Sequence, residues 1–451
     1  MKKRVFISFL ALESQEGTYS LNNGNNSEQY NESFGQVPLV KKLMGEGKLD
    51  CIGLFDARQA SDEQKPDSYT NLLAKLKELY PGIENDTQLI SLETNEPGMG
   101  LFLSITDIIA RFSKEDEVDL YIDSTNNTPG IPMFIVLNAI EKAYANARVK
   151  GIYCWKEQLL PDTDGKRNYA IEDLVKTYND NRLGEAIGYF QRTMHIAKEN
   201  VKAEETDSED VKDLKGILGD LETSLQYSNF VEVVKHSKKL VAAIENMVND
   251  SSVSGILKAY LKPLGNMFAS YIEEDDVYTA INIAKGLYYD ASQVQSCVTL
   301  LEAIYNQIID QLIEKNLNEP DKLLFYNLTA NQRYKLHKYA ETALCIRWNS
   351  SAEEVSREYK KLMQFTSKEV AELFESVGDA LEQVYKNTNP SICYKKVYDR
   401  KFKAGRAISD FLSELRNSMD HGFGKKVENE EELMLAYIDV LKLMYKTFVL
   451  E

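Results

Sequence analysis

Histidine is scarce in this chain: His195, His236, His337 and His421 are the only four in 451 residues. None sits in an H-E-x-x-H or comparable ligand pattern, so the sequence predicts no metal centre. The five cysteines, Cys51, Cys154, Cys297, Cys345 and Cys393, are scattered without a C-x-x-C pair. That spacing excludes a disulfide framework and a zinc ribbon, and predicts reduced thiols in a cytoplasmic protein. No window approaches the roughly 18 consecutive apolar residues of a membrane helix, so no membrane association is expected. The opening Val-Phe-Ile-Ser-Phe-Leu run is too short for a signal peptide's apolar core and reads as a first strand. No G-x-G-x-x-G follows it, which argues against a dinucleotide cofactor. Basic charge is also deficient: 53 Lys and Arg face 70 Asp and Glu, a net charge of −17. Such a surface excludes a general nucleic-acid coat, although one local basic strip can still hold a strand.

A length of 451 residues accommodates two or three domains. Up to about residue 158, strand-like and helix-like segments alternate. Arg4–Leu10, Cys51–Asp56, Gln88–Leu92, Val118–Ile122 and Val149–Trp155 are short runs rich in Val, Ile, Leu and aromatics, as buried strands are. Helical patterns cover Pro38–Gly45, Tyr69–Leu79, Gly98–Phe112 and Ile131–Ala145. This βαβ series predicts a Rossmann-like α/β domain with a mostly parallel sheet and helices on both faces. Between the first strand and first helix, residues Glu13 to Gly35 form a polar stretch expected to be a long loop, functional or disordered.

The fourth of these strands runs into Asp123-Ser124-Thr125-Asn126-Asn127-Thr128-Pro129-Gly130, directly before a helix. Hydroxyls, amides and a glycine at the carboxyl end of a parallel strand, facing the free N–H groups of a helix N-terminus, suit phosphate. A simply capped βα turn is the plainer alternative.

The polar segment Lys156–Arg167, with Pro161 and Gly165, reads as a hinge. Beyond it the apolar period is helical over Ile171–Ala197, Leu214–Tyr227, Phe230–Asn249, Ile256–Ser270, Val277–Ala291, Val298–Ile313, Val355–Tyr385, Phe402–Met419 and Glu430–Phe448. The acidic stretch Ala203–Asp213 is expected to be an exposed connection. Near the end of the Phe402–Met419 helix lies Arg416-Asn417-Ser418-Met419-Asp420-His421. Arginine holds a phosphate at any working pH, and histidine moves protons near neutrality. With a polar neighbour, these are the side chains required to cut RNA without a metal. The same pattern also fits a surface arginine beside a helix-capping histidine. A basic cluster precedes it (Lys395, Lys396, Arg400, Lys401, Lys403, Arg406), and Lys425 and Lys426 follow. A charge run is usually a solvated face, but this one stands out in so acidic a chain.

Taken together, the Asp123–Gly130 turn and the Arg416-Asn417-x-x-x-His421 motif resemble those of the CARF–HEPN ribonucleases. These are type III CRISPR ancillary effectors that join a CRISPR-associated Rossmann fold to a helical nuclease domain. The resemblance implies a CARF-like sensor over residues 1–158, a helical connection over 159–330 and a HEPN-like nuclease over 331–451, which could start as early as about 170. It implies a homodimer in which a cyclic oligoadenylate, tetra- or hexa-adenylate, binds at Leu10, Ala11, Tyr19 and Asp123, Ser124, Thr125, Asn126, Asn127, Thr128, Pro129 and Gly130. Tyr19 would fold over that ring. Single-stranded RNA would then be cut at a composite cleft by Arg416, Asn417 and His421, without a cofactor, as part of antiviral defence. The turn departs from the family pattern, carrying Asn126, Asn127 and Pro129 in place of a glycine-rich sequence. Two other readings are a nucleotide-sensing regulator without nuclease activity and a CARF domain that also degrades its activator.

Overall fold

The computed structural model describes residues 1–10, 16–23, 26–56, 67–92, 97–125, 133–158, 167–204, 207–289, 294–343, 356–357, 359–360, 368–388 and 430–450. The chain divides into two compact units, Met1–Arg182 and Leu183–Glu451.

The first unit is built on an eight-stranded mixed sheet. Its strands are β1 (Lys2–Phe9), β2 (Gly17–Asn23), β3 (Asn26–Glu32), β4 (Cys51–Asp56), β5 (Thr87–Ser91), β6 (Glu117–Asp123), β7 (Ala147–Glu157) and β8 (Arg167–Asp173), in the order β3-β2-β8-β7-β6-β1-β4-β5. β7, β6, β1, β4 and β5 run parallel. β8 is antiparallel to β7, β2 is parallel to β8, and β3 closes the edge as the second arm of a hairpin. Helices α1 (Gln36–Glu46), α2 (Asp67–Leu79), α3 (Pro97–Ile109) and α4 (Met133–Ala143) cover it.

Period-two alternation sorts the strand residues onto the two faces. Val5, Ile7 and Phe9 of β1 pack with Leu101, Ile105 and Ile108 of α3 and with Leu137 and Ile140 of α4. Phe6 belongs to the opposite layer, with Val37, Val40 and Leu43 of α1 and Leu72 and Leu76 of α2. At the far end of β1, Arg4 donates to the Leu43 and Gly47 carbonyls at 2.7 and 2.6 Å and pairs with Glu46 at 3.0 Å. A guanidinium thus satisfies the orphan carbonyls at the C-terminus of α1, where the helix dipole favours a cation.

The parallel strands fall close to their expected positions, but two expectations are corrected. The polar stretch after β1 is no long loop: β2 and β3 form a register-matched hairpin from Gly17↔Glu32 to Asn23↔Asn26. Tyr19 and Leu21 are the buried teeth of this otherwise polar ribbon. The sheet also continues past residue 158, because β8 occupies Arg167–Asp173, part of which was expected to be helical. α5 (Val175–Thr193) starts only after Asp173, whose carboxylate accepts from the Val175 N–H at 3.0 Å. This is an N-terminal cap.

The second unit is helical. It continues from α5 through α6 (Lys198–Val201), α7 (Glu209–Gln226), α8 (Phe230–Asn249), α9 (Gly255–Ala269), α10 (Asp276–Tyr289), α11 (Val294–Lys315), α12 (Glu319–Tyr326), α13 (Ala330–Ala343), α14 (Lys368–Thr388) and α15 (Glu430–Tyr445). Ser208, Asn229, Ser254 and Asn318 cap α7, α8, α9 and α12 through their side-chain oxygens. One hydrophobic cluster draws on residues from Leu183 to Tyr445, on both sides of residue 330. The last helix is tied in by the Tyr445 hydroxyl, which donates to Asp275 at 2.7 Å. The acidic connection before α7 is not wholly exposed. Asp207 is buried against Lys215 at 2.6 Å, and the same ammonium donates to the Lys202 carbonyl.

Candidate ligand site at the carboxyl edge of the sheet

From β1 the chain steps outward to β4 and β5 on one side, then returns to place β6 and β7 on the other. Strand order therefore reverses between β1 and β6, the place where open α/β sheets bind ligands beyond their strand ends. The register sets Ser8 beside Asp123 there. The Ser8 hydroxyl donates to Asp123 Oδ2 at 2.8 Å, and the Thr125 N–H donates to Oδ1 at 3.0 Å. Asp123 has no solvent exposure. Burial pushes its carboxyl above the ordinary range, against the opposing pull of hydrogen bonds from Thr125 and Ser8 and of the Trp155 indole.

Ser124 and Thr125 continue this lock onto β7. The Ser124 hydroxyl donates to the Tyr153 carbonyl at 3.0 Å, and the Thr125 hydroxyl oxygen accepts from the Trp155 N–H at 2.9 Å. The two hydroxyls expected to hold phosphate thus anchor the start of the turn. Opposite them stands the N-terminus of α1, where Gly35 offers no capping side chain and buried Gln36 donates to the Phe9 carbonyl at 3.1 Å. A Cβ on Gly35 would overlap the Trp155 indole, so glycine permits the helix start to come this close. The Trp155 Nε1–H is buried, and its pull on Asp123 falls short of hydrogen-bond geometry.

Of the residues singled out in the sequence, Leu10, Asp123, Ser124 and Thr125 come together at this edge. The half-buried Leu10 donates its N–H to Phe55 of β4 at 2.9 Å. Tyr19 does not form a covering tip. It is completely buried, stacked on Tyr169 at 4.7 Å between centroids and edge-on to Trp155 at 5.5 Å. Ala11, Asn126, Asn127, Thr128, Pro129 and Gly130 lie outside the described residues, as do Arg416, Asn417, His421 and the basic residues around them. Ser8, Gln36 and Trp155 were not assigned to the site from sequence. A serine breaking an apolar strand was the one available signal.

The remaining histidines are in the helical unit. His195 is exposed and contacts Glu222. His236 is buried beside Ser224, 3.2 Å from its hydroxyl, but that hydroxyl also lies 2.7 Å from the Asp220 carbonyl in its own helix. His337 is wedged between Asn306 at 3.2 Å and Asp310 at 2.7 Å. Burial pushes the Cys51 and Cys297 thiols up, to about 11 and about 12, so neither is an activated nucleophile. Among the described residues, no group of three or more His, Cys, Asp or Glu is arranged to hold a metal, and no helix is long and apolar enough to cross a membrane. No protein-family model matches the chain, and no curated protein matches it.

Proposed function

We propose that the chain is a cyclic-oligoadenylate-activated, metal-independent endoribonuclease of the CARF–HEPN kind, acting on single-stranded RNA as a homodimer. The observation that carries the sensor half is the meeting of Ser8, Asp123, Ser124 and Thr125 with the uncapped start of α1 at the strand-order reversal. A helix N-terminus there favours anionic phosphate. The homodimer is supported by α3 and α4, where Met99, Leu103 and Ile135 are each more than half exposed. From Pro97 to Thr106 and from Met133 to Ile140 these helices carry no charged residue, whereas an ordinary surface helix has a polar outer face. An isologous contact through them covers that surface with its own copy.

The nuclease half rests on Arg416-Asn417-x-x-x-His421. His421 takes the proton from the ribose 2′-hydroxyl as its oxygen attacks the adjacent phosphorus. Arg416 stabilises the charge that builds on the phosphoryl oxygens, and Asn417 orients the strand. The bond to the 5′-oxygen breaks, leaving a 2′,3′-cyclic phosphate and, after protonation, a 5′-hydroxyl. The partner's copy of the motif supplies the second imidazole for that protonation. Activator binding biases the dimer towards the competent arrangement. The test is cleavage of a fluorescent single-stranded RNA with each cyclic oligoadenylate. His421→Ala should abolish cleavage while leaving activator binding intact. Undiminished cleavage by that variant removes the assignment.

A further inference from the structure

The end of α12 and most of α13 form a basic stretch without acids in an otherwise acidic chain. From Lys322 to Ala340 it contains Lys322, Arg333, Lys335 and Lys338, one histidine, and no Asp or Glu. Two of its rings are presented to solvent, Tyr334 at 62% exposure and Tyr326 at 54%. Thr329 and Gln332 close the start of α13 as a reciprocal capping box, with the Thr329 N–H 2.9 Å from Gln332 Oε1 and the Gln332 N–H 3.3 Å from Thr329 Oγ1. The cap fixes the first turn of the helix, from which Arg333 and Tyr334 emerge.

Cations already lie over aromatic faces here. Lys338 sits 5.9 Å above the Tyr334 ring, and the Arg333 guanidinium lies 4.9 Å from the Phe325 centroid. Arg333 is held by the Phe325 carbonyl at 3.2 Å, yet its Nε–H is buried without an acceptor among the described residues. Acids of α11 and α12 flank the stretch and are already engaged, Glu319 with Lys322 at 2.8 Å. Asp310 is flanked by His337 and Arg333, and Glu314 bonds the Tyr326 hydroxyl.

We propose that the α12–α13 region is a stacking platform for single-stranded nucleic acid, in which Tyr334 receives a base and the cations of α13 attract the backbone. A π-face flanked by cations fits a strand with splayed bases, whereas a duplex hides its base faces. An acidic peptide has charge but no rings to stack. The platform rests on the ribonuclease reading only for the choice of RNA over DNA.

The test is fluorescence anisotropy with the full chain and a labelled oligouridylate about a dozen nucleotides long. Tyr334→Ala should weaken binding on the order of tenfold, with Tyr334→Phe retaining most of it. Lys338→Gln should lower the dependence of log affinity on log salt by roughly one contact. Unchanged affinity in Tyr334→Ala overturns the platform, as does equal competition by polyglutamate or by the same oligonucleotide in a duplex. The two proposals fail separately. Weakened binding in Tyr334→Ala, with no cleavage by the wild type under any oligoadenylate, supports the platform and removes the nuclease. Cleavage by the wild type, with unaltered binding in Tyr334→Ala, removes the platform alone.

Discussion

The Ser8 hydroxyl donates to the Asp123 carboxylate at 2.8 Å, joining two residues 115 positions apart at the adjoining ends of β1 and β6. Because Asp123 has no access to water, this donor replaces part of the lost hydration. Ser8→Ala should destabilise the α/β unit by about 1–3 kcal/mol, read from a chemical denaturation curve. A loss well below that range would mean that Thr125 alone suffices.

The same carboxyl makes stability depend on pH with a definite sign. Its folded-state value lies above the ordinary carboxylate value of about 4, so over that interval the folded chain retains a proton that the unfolded chain releases. The contribution of Asp123 therefore falls as pH rises from about 4 through its folded value. Asp123→Asn should remove that slope. Denaturant midpoints of the two proteins across this interval check it, and parallel profiles would refute it.

Tyr19 should behave as a core residue. Tyr19→Ala removes a fully buried ring from between Tyr169 and Trp155 and should cost about 3–5 kcal/mol, as truncation of large core aromatics does. Tyr19→Phe keeps the stack and should cost roughly 1 kcal/mol. A ligand contact would give the opposite ranking: stability unchanged and binding lost in both variants.

In the helical unit, Asp207→Ala leaves Lys215 as an uncompensated buried cation and should destabilise by about 3–5 kcal/mol. The double variant Asp207→Ala with Lys215→Met removes both charges and should recover most of that loss. Thermal unfolding of the three proteins decides.

Gly286 packs beneath Tyr271, where an added methyl would overlap the ring. Gly286→Ala should cost about 1–3 kcal/mol despite alanine's better helix propensity, because the close approach outweighs it. A stabilised Gly286→Ala protein would show that the Tyr271 ring moves aside freely.

The parallel core was legible in the sequence because β1, β4, β6 and β7 carry short segments dense in Val, Ile, Leu and aromatics. β2, β3 and β8 were not, because these strands offset their few buried residues with Asn, Ser, Glu and Arg. The two-residue Gly24-Asn25 connection between Asn23 and Asn26 was the overlooked hairpin signal. The Asp123–Thr125 segment was recognisable as more polar than a cap requires. Ser8 was not, because nothing local announces a partner that follows 115 residues later. Tyr19 misled for a related reason: an aromatic among asparagines and serines looks like a loop tip until β8 supplies the ring it stacks on.

β2 has only β3 and β8 as neighbours. During synthesis the second strand of the chain must therefore wait for residues 167–173 to emerge before it acquires its inner neighbour. A nascent chain stopped short of β8 would carry an orphaned hairpin with Tyr19 uncovered. Completion of the α/β unit is thus a late event on the ribosome, governed by its most distant strand pairing.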